Sequence, residues 1–293
     1  MPSLLLSFRN KAIFLMVFGS TLISFTGLII RNMESAGALE INLIRGISLS
    51  ITVFLILLFK YKLSAVSKII AVGKPGLAAG FALATAGICL LQAMTNTTVA
   101  ATLFICSSVP FLTAILAWFL LKETIAKFTL AAMCCAAVGV GIMLLGNDGT
   151  KSSYGALMAF FTAISFSVYA VIVRKHRSIE MLPALAISGI LISLFCLLLL
   201  KNTLTFTWMD MFRCMLLGCF VSLIPNMLFL YSTRYLLAGE LTFFMLFEFA
   251  LGPFWVWIFI NEVPSIWTMA GGFIVMTSVV IFILKEIKSK RFT

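Results

Sequence analysis

Runs of roughly twenty apolar residues alternate with short polar connections along the whole of this chain. A run of that length crosses the hydrocarbon of a bilayer as a single helix. The pattern predicts ten spans, over 12–30, 41–59, 76–94, 98–121, 127–146, 154–173, 183–200, 211–233, 238–260 and 266–284. The predicted fold class is an all-α integral membrane protein with ten transmembrane helices.

The ninth run differs from the others. Glu248 stands near its middle, where a charge costs about 2.5–3.5 kcal/mol on insertion scales and so faces protein or a water-filled cavity. Pro253, about one turn later, is expected to break the helical ladder and to need neighbouring helices for the freed carbonyl. A lone anchor gains nothing from either feature. This run belongs inside a bundle with a polar centre.

Composition agrees with that picture, with 62% of residues hydrophobic and only 11% charged. The net charge of +11 raises the question of nucleic acid. The basic residues, however, sit singly or in small groups between apolar runs, so membrane orientation explains them and no nucleic acid is expected. Sixteen Lys and Arg, from Arg9 and Lys11 to Lys290 and Arg291, fall on one side of the predicted spans. Only Arg31, Lys151, Lys201 and Arg213 fall on the other, and Arg45 lies within a span. That bias predicts both termini in the cytoplasm, which requires an even number of spans. Ala36-Gly37-Ala38 resembles a cleavage site, but the apolar run before it is 19 residues, longer than a typical signal core, so an uncleaved first helix is expected. The seven cysteines all fall in apolar segments without metal-ligand spacing and read as small buried hydrophobes. Ala78, Ala82 and Ala86 beside Gly76 and Gly80, and likewise Ala132 and Ala136 beside Cys135 and Gly139, read as stripes for close helix contact.

The chain repeats itself. At an offset of 139, Phe104 aligns with Phe243, Leu112 with Leu251, Trp118 with Trp257 and Glu123 with Glu262. Ser24-Phe25 echoes Ser165-Phe166 at an offset of 141. The predicted halves, 1–147 and 148–293, hold five spans each. Five is odd, so the halves enter the membrane in opposite directions, as two inverted five-helix repeats.

Val109-Pro110-Phe111 through Ala117-Trp118-Phe119-Leu120-Leu121-Lys122-Glu123 resembles the end of an EamA repeat, and so does Gly252-Pro253-Phe254-Trp255-Val256-Trp257 through Asn261-Glu262. Leu43-Ile44-Arg45-Gly46 resembles the Arg-containing segment of the first repeat. The whole chain is similar to two EamA units of the drug/metabolite transporter superfamily. In the second half Ser188 stands about where Arg45 would be, and Phe249 where Pro110 would be. The resemblance implies a secondary transporter in the bacterial inner membrane that moves a small polar metabolite, an amino acid or related compound, by alternating access and in the export direction. It also implies a cavity between the halves lined by spans 1, 3, 4, 6, 8 and 9. The alternative is a lipid-handling or non-transporting structural membrane protein, for which Lys60, Lys62, Lys68 and Lys74 are the one cluster suited to headgroups.

Seven residues are candidates for substrate binding or coupling. Glu248 fits a substrate or proton site, or a structural pair with Arg45. Arg45, one turn inside the second span, fits snorkelling, pairing with Glu40 or Glu248, or carboxylate binding. Gln92, Tyr169 and Asn226 fit interhelical hydrogen bonding or pocket lining, and Pro225 predicts a kink beside Asn226. Trp118 and Trp255 fit a pocket wall or an interfacial belt. Glu240 fits a helix cap, and Glu123 and Glu262 fit helix ends or gating loops. The partners expected are the lipid bilayer and a small-molecule substrate, with a proton or counter-substrate left open. An enzyme is not expected: the single histidine, His176, lies in a basic loop, and no metal motif, P-loop or nucleophile elbow is present. No cofactor or metal is expected.

Overall fold

The computed structural model describes residues 2–96, 99–144, 153–200, 207–260 and 266–289. Among them all regular structure is helical. The first apolar run forms two helices, α1 (Pro2–Ile23) and α2 (Phe25–Arg31), parted at Ser24, whose hydroxyl turns back to the Thr21 carbonyl at 2.6 Å. A capping box starts α3 (Ala38–Tyr61), where Glu40 accepts the Gly37 N–H at 2.8 Å. A turn at Lys62 and the short α4 (Ala65–Ala71) lead to α5 (Gly73–Asn96). The fourth run is again two helices, α6 (Val99–Cys106) and α7 (Val109–Leu121), and α8 (Lys127–Leu144) follows. Pro110 sits in the first turn of α7, where its missing N–H has no helical partner to lose.

The second half holds α9 (Ser153–Lys175) and α10 (Leu182–Leu199). Next come α11 (Trp208–Leu216), a π-helical turn over Leu217–Ser222 and α12 (Leu223–Ser232). The π turn lies just before Pro225, beside which the sequence predicts a kink. The ninth run is α13 (Ala238–Phe244) and α14 (Leu246–Ile260), and α15 (Ile266–Ser289) completes the described chain. Helix continues through position 253, so the break expected at Pro253 is displaced to Met245. A second helix explains the displacement: Ser20 donates to the Phe244 carbonyl at 2.9 Å and satisfies the acceptor that the break frees.

Among the described residues, six helices are long and apolar enough to cross a membrane: Phe8–Ile30, Ala38–Tyr61, Gly73–Asn96, Ser153–Lys175, Leu182–Leu199 and Trp208–Ser232. Shorter apolar helices span Val109–Leu121, Lys127–Ile142 and Met269–Lys285. Large apolar side chains such as Phe59, Leu198 and Phe273 point outward, as lipid contact requires. The chain is a multi-pass membrane protein. Glu262, Lys151 and Lys201 lie outside the described residues.

The packing is twofold. α1 packs on α12 as α9 packs on α5, and α10 packs on α5 as α3 packs on α11 and the π turn. The counterparts α3 and α10 pack on each other, and so do α8 and α15. At the α3–α10 seam, Ser50 donates to the Ala186 carbonyl and Ser193 to the Leu43 carbonyl, each at 3.3 Å. Residue numbers rise on one helix as they fall on the other, so the two run antiparallel. Each hydroxyl also maps onto the other when the halves are exchanged. Between them, a Cβ on Gly46 would lie 2.8 Å from the Gly189 oxygen, and one on Gly189 would lie 2.6 Å from the Gly46 oxygen. Only glycine permits that approach of backbones.

Candidate functional site

The helix breaks of the first and ninth runs come together near the middle of the bundle. α14 packs on α1 and α2, and the Ser20–Phe244 bond closes the junction. The break of the fourth run, at Ser107 and Ser108, occupies the corresponding place in the repeat, and α7 packs on α13. A discontinuous helix offers free backbone dipoles at membrane depth, which is how transporters build sites from chain ends.

Glu248 lies in the first turn of α14, three residues beyond the break. It is half-buried, and its carboxylate is within electrostatic reach of the Cys106 thiol at the end of α6. Among the described residues its side chain makes no hydrogen bond or ion pair. On the side of the break toward α12, a cavity of about 30 Å³ is lined by Ser20, Ile23, Phe166, Asn226, Phe229 and Met245. That volume suits about one water molecule. Asn226 also donates to the Ser222 carbonyl of its own helix at 2.8 Å. Tyr169 is fully buried beside the same aromatics, stacked on Phe229 at 5.7 Å between ring centres, and its hydroxyl has no hydrogen-bond partner among the described residues. Trp255, two turns beyond Glu248, donates to Ser24 at 2.7 Å and stacks on Phe25 at 4.5 Å. It thereby ties α14 to the break of the first run.

The other three candidates lie elsewhere. Arg45 donates to Asn42 at 2.8 Å and reaches between Gly87 of α5 and Ile192 of α10. Its helix packs on α5, α10, α11 and the π turn, and no ion pair joins it to Glu248. Gln92 accepts from Asn96 near the end of α5. Trp118 is 56% exposed on the outside of α7, edge-on to Phe119.

The best-defined polar geometry lies at the end of the bundle that carries most of the Lys and Arg. Arg174, at the end of α9, donates to Glu123 at 2.6 Å and also to the Thr233 carbonyl. The second oxygen of Glu123 accepts the Ala238 N–H at 3.1 Å. Arg9 of α1 pairs with Glu240 at 2.7 Å, and Glu240 caps α13 by accepting the Leu237 N–H at 3.0 Å, the role its sequence position predicts. The two pairs tie both halves together at this end. At the opposite end Asp210 is fully buried and accepts from the backbone N–H groups of Glu34 and Ser35 at 3.0 Å each, with Arg213 beside it at 3.2 Å. The sequence reading passed over Asp210, although Thr207, which accepts the Asp210 N–H, gives it the spacing of a helix cap. Among the described residues no cluster of His, Cys, Asp or Glu is placed to hold a metal ion.

No curated protein sequence matches the chain. A solved crystal structure that is 14% identical superposes with a TM-score of 0.76, over 97% of this chain and 99% of its own. That likeness establishes the fold. The EamA-like transporter family matches twice in succession, over residues 10–145 and 153–284. Together these matches take in both halves of the twofold packing, and the chain belongs to the EamA-like transporter family.

Proposed function

We propose that the chain is a secondary transporter of a small polar metabolite, an amino acid or related compound, exported across the bacterial inner membrane by alternating access. Ten crossings, as inverted units over 1–147 and 148–293, place both termini and the Arg174–Glu123 end in the cytoplasm. The antiparallel α3–α10 seam supports the inversion. The arrangement corresponds to a state closed toward the cytoplasm, because two ion pairs between the halves seal that end.

The single observation that carries the reading is Glu248. It is a carboxylate without a hydrogen bond or ion pair among the described residues, one turn inside a helix that restarts at mid-membrane. A charged group there is costly unless the protein uses it, and substrate ammonium or proton binding is the use that its position favours. Asn226 lines the small cavity at these breaks, Trp255 bonds to Ser24 beside them, and Tyr169 is buried behind Phe229, so hydrogen-bonding and aromatic groups cluster there. Arg45, Gln92 and Trp118 stand apart from this group. The test is efflux of amino acids and related metabolites from loaded proteoliposomes. Substrate-dependent flux that saturates supports the reading, and no flux across a broad panel contradicts it.

A further inference from the structure

A second cavity, of about 300 Å³, opens at the Lys/Arg-rich end between α3, α9, α10 and α12. Its mouth carries Lys60, Arg177, Arg234 and Glu180, and its depth is apolar, with Ile56, Leu182, Met227 and Leu230. Glu180 is already engaged: Lys60 pairs with it at 2.6 Å and the Tyr61 hydroxyl donates to it. Arg177 and Arg234 stand beside this group, with Arg234 within electrostatic reach of Glu180. Among the described residues neither side chain makes an ion pair or hydrogen bond, and both are exposed at the mouth. Isolated surface arginines are ordinary solvated groups. Two of them beside a concave apolar pocket of this size, with the one nearby carboxylate occupied, form a receptor for an amphipathic anion.

We propose that this cavity binds a phosphate ester, with Arg177 and Arg234 forking onto the phosphate oxygens and the apolar portion entering between the helices. The guanidinium geometry matches phosphate in two-pronged fashion, which a lysine cannot do. Position favours the headgroup of an anionic phospholipid in the adjoining leaflet, since basic pockets between spans at this depth meet such headgroups. A soluble phosphate ester offers the same chemistry. The pocket also shares a wall with the closed end, because Thr233 lines it and passes its carbonyl to Arg174.

The experiment uses full-length protein in nanodiscs of phosphatidylcholine, with or without phosphatidylglycerol, and reads the thermal midpoint and the lipid retained in native mass spectrometry. Phosphatidylglycerol should raise the midpoint of the wild type and of K74Q, a matched charge removal at the same end. The double variant R177Q/R234Q should lose both the rise and the retained lipid while keeping the wild-type midpoint in phosphatidylcholine. A rise produced by glycerol 3-phosphate in phosphatidylcholine discs, absent from the double variant, assigns the phosphate to a soluble source. Should the double variant fail to fold, R177Q and R234Q singly provide the same comparison. An undiminished rise in the variants, or no rise with either phosphate source, overturns the proposal. None of these readouts involves flux, so the transport reading stands or falls separately.

Discussion

Arg174 and Glu123 are 51 residues apart in sequence and 2.6 Å apart in space. One comes from each half of the chain, and both are largely shielded from solvent. A buried pair broken from one side leaves a charge without its partner, at about 3–5 kcal/mol. Glu123→Gln should therefore destabilise this end of the bundle by about 3 kcal/mol, and Arg174→Gln by a similar amount. Because Glu123 also accepts the Ala238 N–H, hydrogen exchange across residues 233–240 is the local readout. Exchange there should accelerate in Glu123→Gln while α3 and α10 stay protected. Unchanged exchange would remove the pair from any gating role.

Asp210 anchors the connection between α2 and α3 by accepting the backbone N–H groups of Glu34 and Ser35. Charge-assisted bonds of this kind contribute about 1.5–3 kcal/mol each. Asp210→Ala should lower thermal stability by about 3 kcal/mol or more and loosen residues 32–37. Asp210→Asn, which keeps one acceptor oxygen, should lose less. Equal effects of the two substitutions would contradict the anchoring role.

Glu180 supplies a pH dependence of known sign. Burial pushes its carboxyl up, but the hydrogen bonds from Lys60 and Tyr61, together with the positive charges of Lys60 and Arg234, outweigh it and hold the group below the usual carboxylate range. A carboxyl depressed in the fold stabilises fully above its unfolded value, about 4.3, and loses that contribution as pH falls through the lower folded value. The gap in stability between wild type and Glu180→Gln should thus be constant near neutrality and shrink below about pH 4. The pair is partly exposed, so the gap should stay below about 1 kcal/mol. A gap that widens in acid would refute the assignment.

Glycine at the α3–α10 seam yields a structural test of the twofold arrangement. Gly46→Ala and Gly189→Ala each drive a Cβ to under 3 Å from the opposing carbonyl. Each should cost about 1–3 kcal/mol, the usual penalty for overpacking. Because the residues contact one another, the double variant should not be additive. Additive, mild losses in detergent-based unfolding would mean that the helices do not cross here.

Much of the helical architecture was legible because hydropathy marks the apolar runs. The repeat was legible too, and its seam falls at residues 43–50 and 186–193. The position of the break in the ninth run was not. Pro253 removes one donor but leaves a continuous helix, while the break at Met245 depends on Ser20, 224 residues away, taking the Phe244 carbonyl. Trp118 illustrates a second limit, since an aromatic at a given helical phase suits a belt as well as a pocket. The ion pairs at the closed end carry no local signature at all. The Arg174–Glu123 pair exists only because α9 meets the end of α7, and the Arg9–Glu240 pair only because α1 meets α13. Glu248 stands out in the sequence for the opposite reason: an acidic residue in an apolar run is conspicuous wherever its helix packs.

Efflux by Glu248→Gln, compared with wild type in the same proteoliposomes, tests the central claim most directly. Gln keeps the shape and the hydrogen-bonding capacity of the side chain but cannot ionise. Among the described residues Glu248 has no ion-pair partner to strand, so expression and thermal midpoint should match the wild type. Flux should fall to background, or lose its dependence on pH if the group carries a proton. A variant with wild-type stability and wild-type flux at every pH would contradict the account and leave Glu248 outside the transport path.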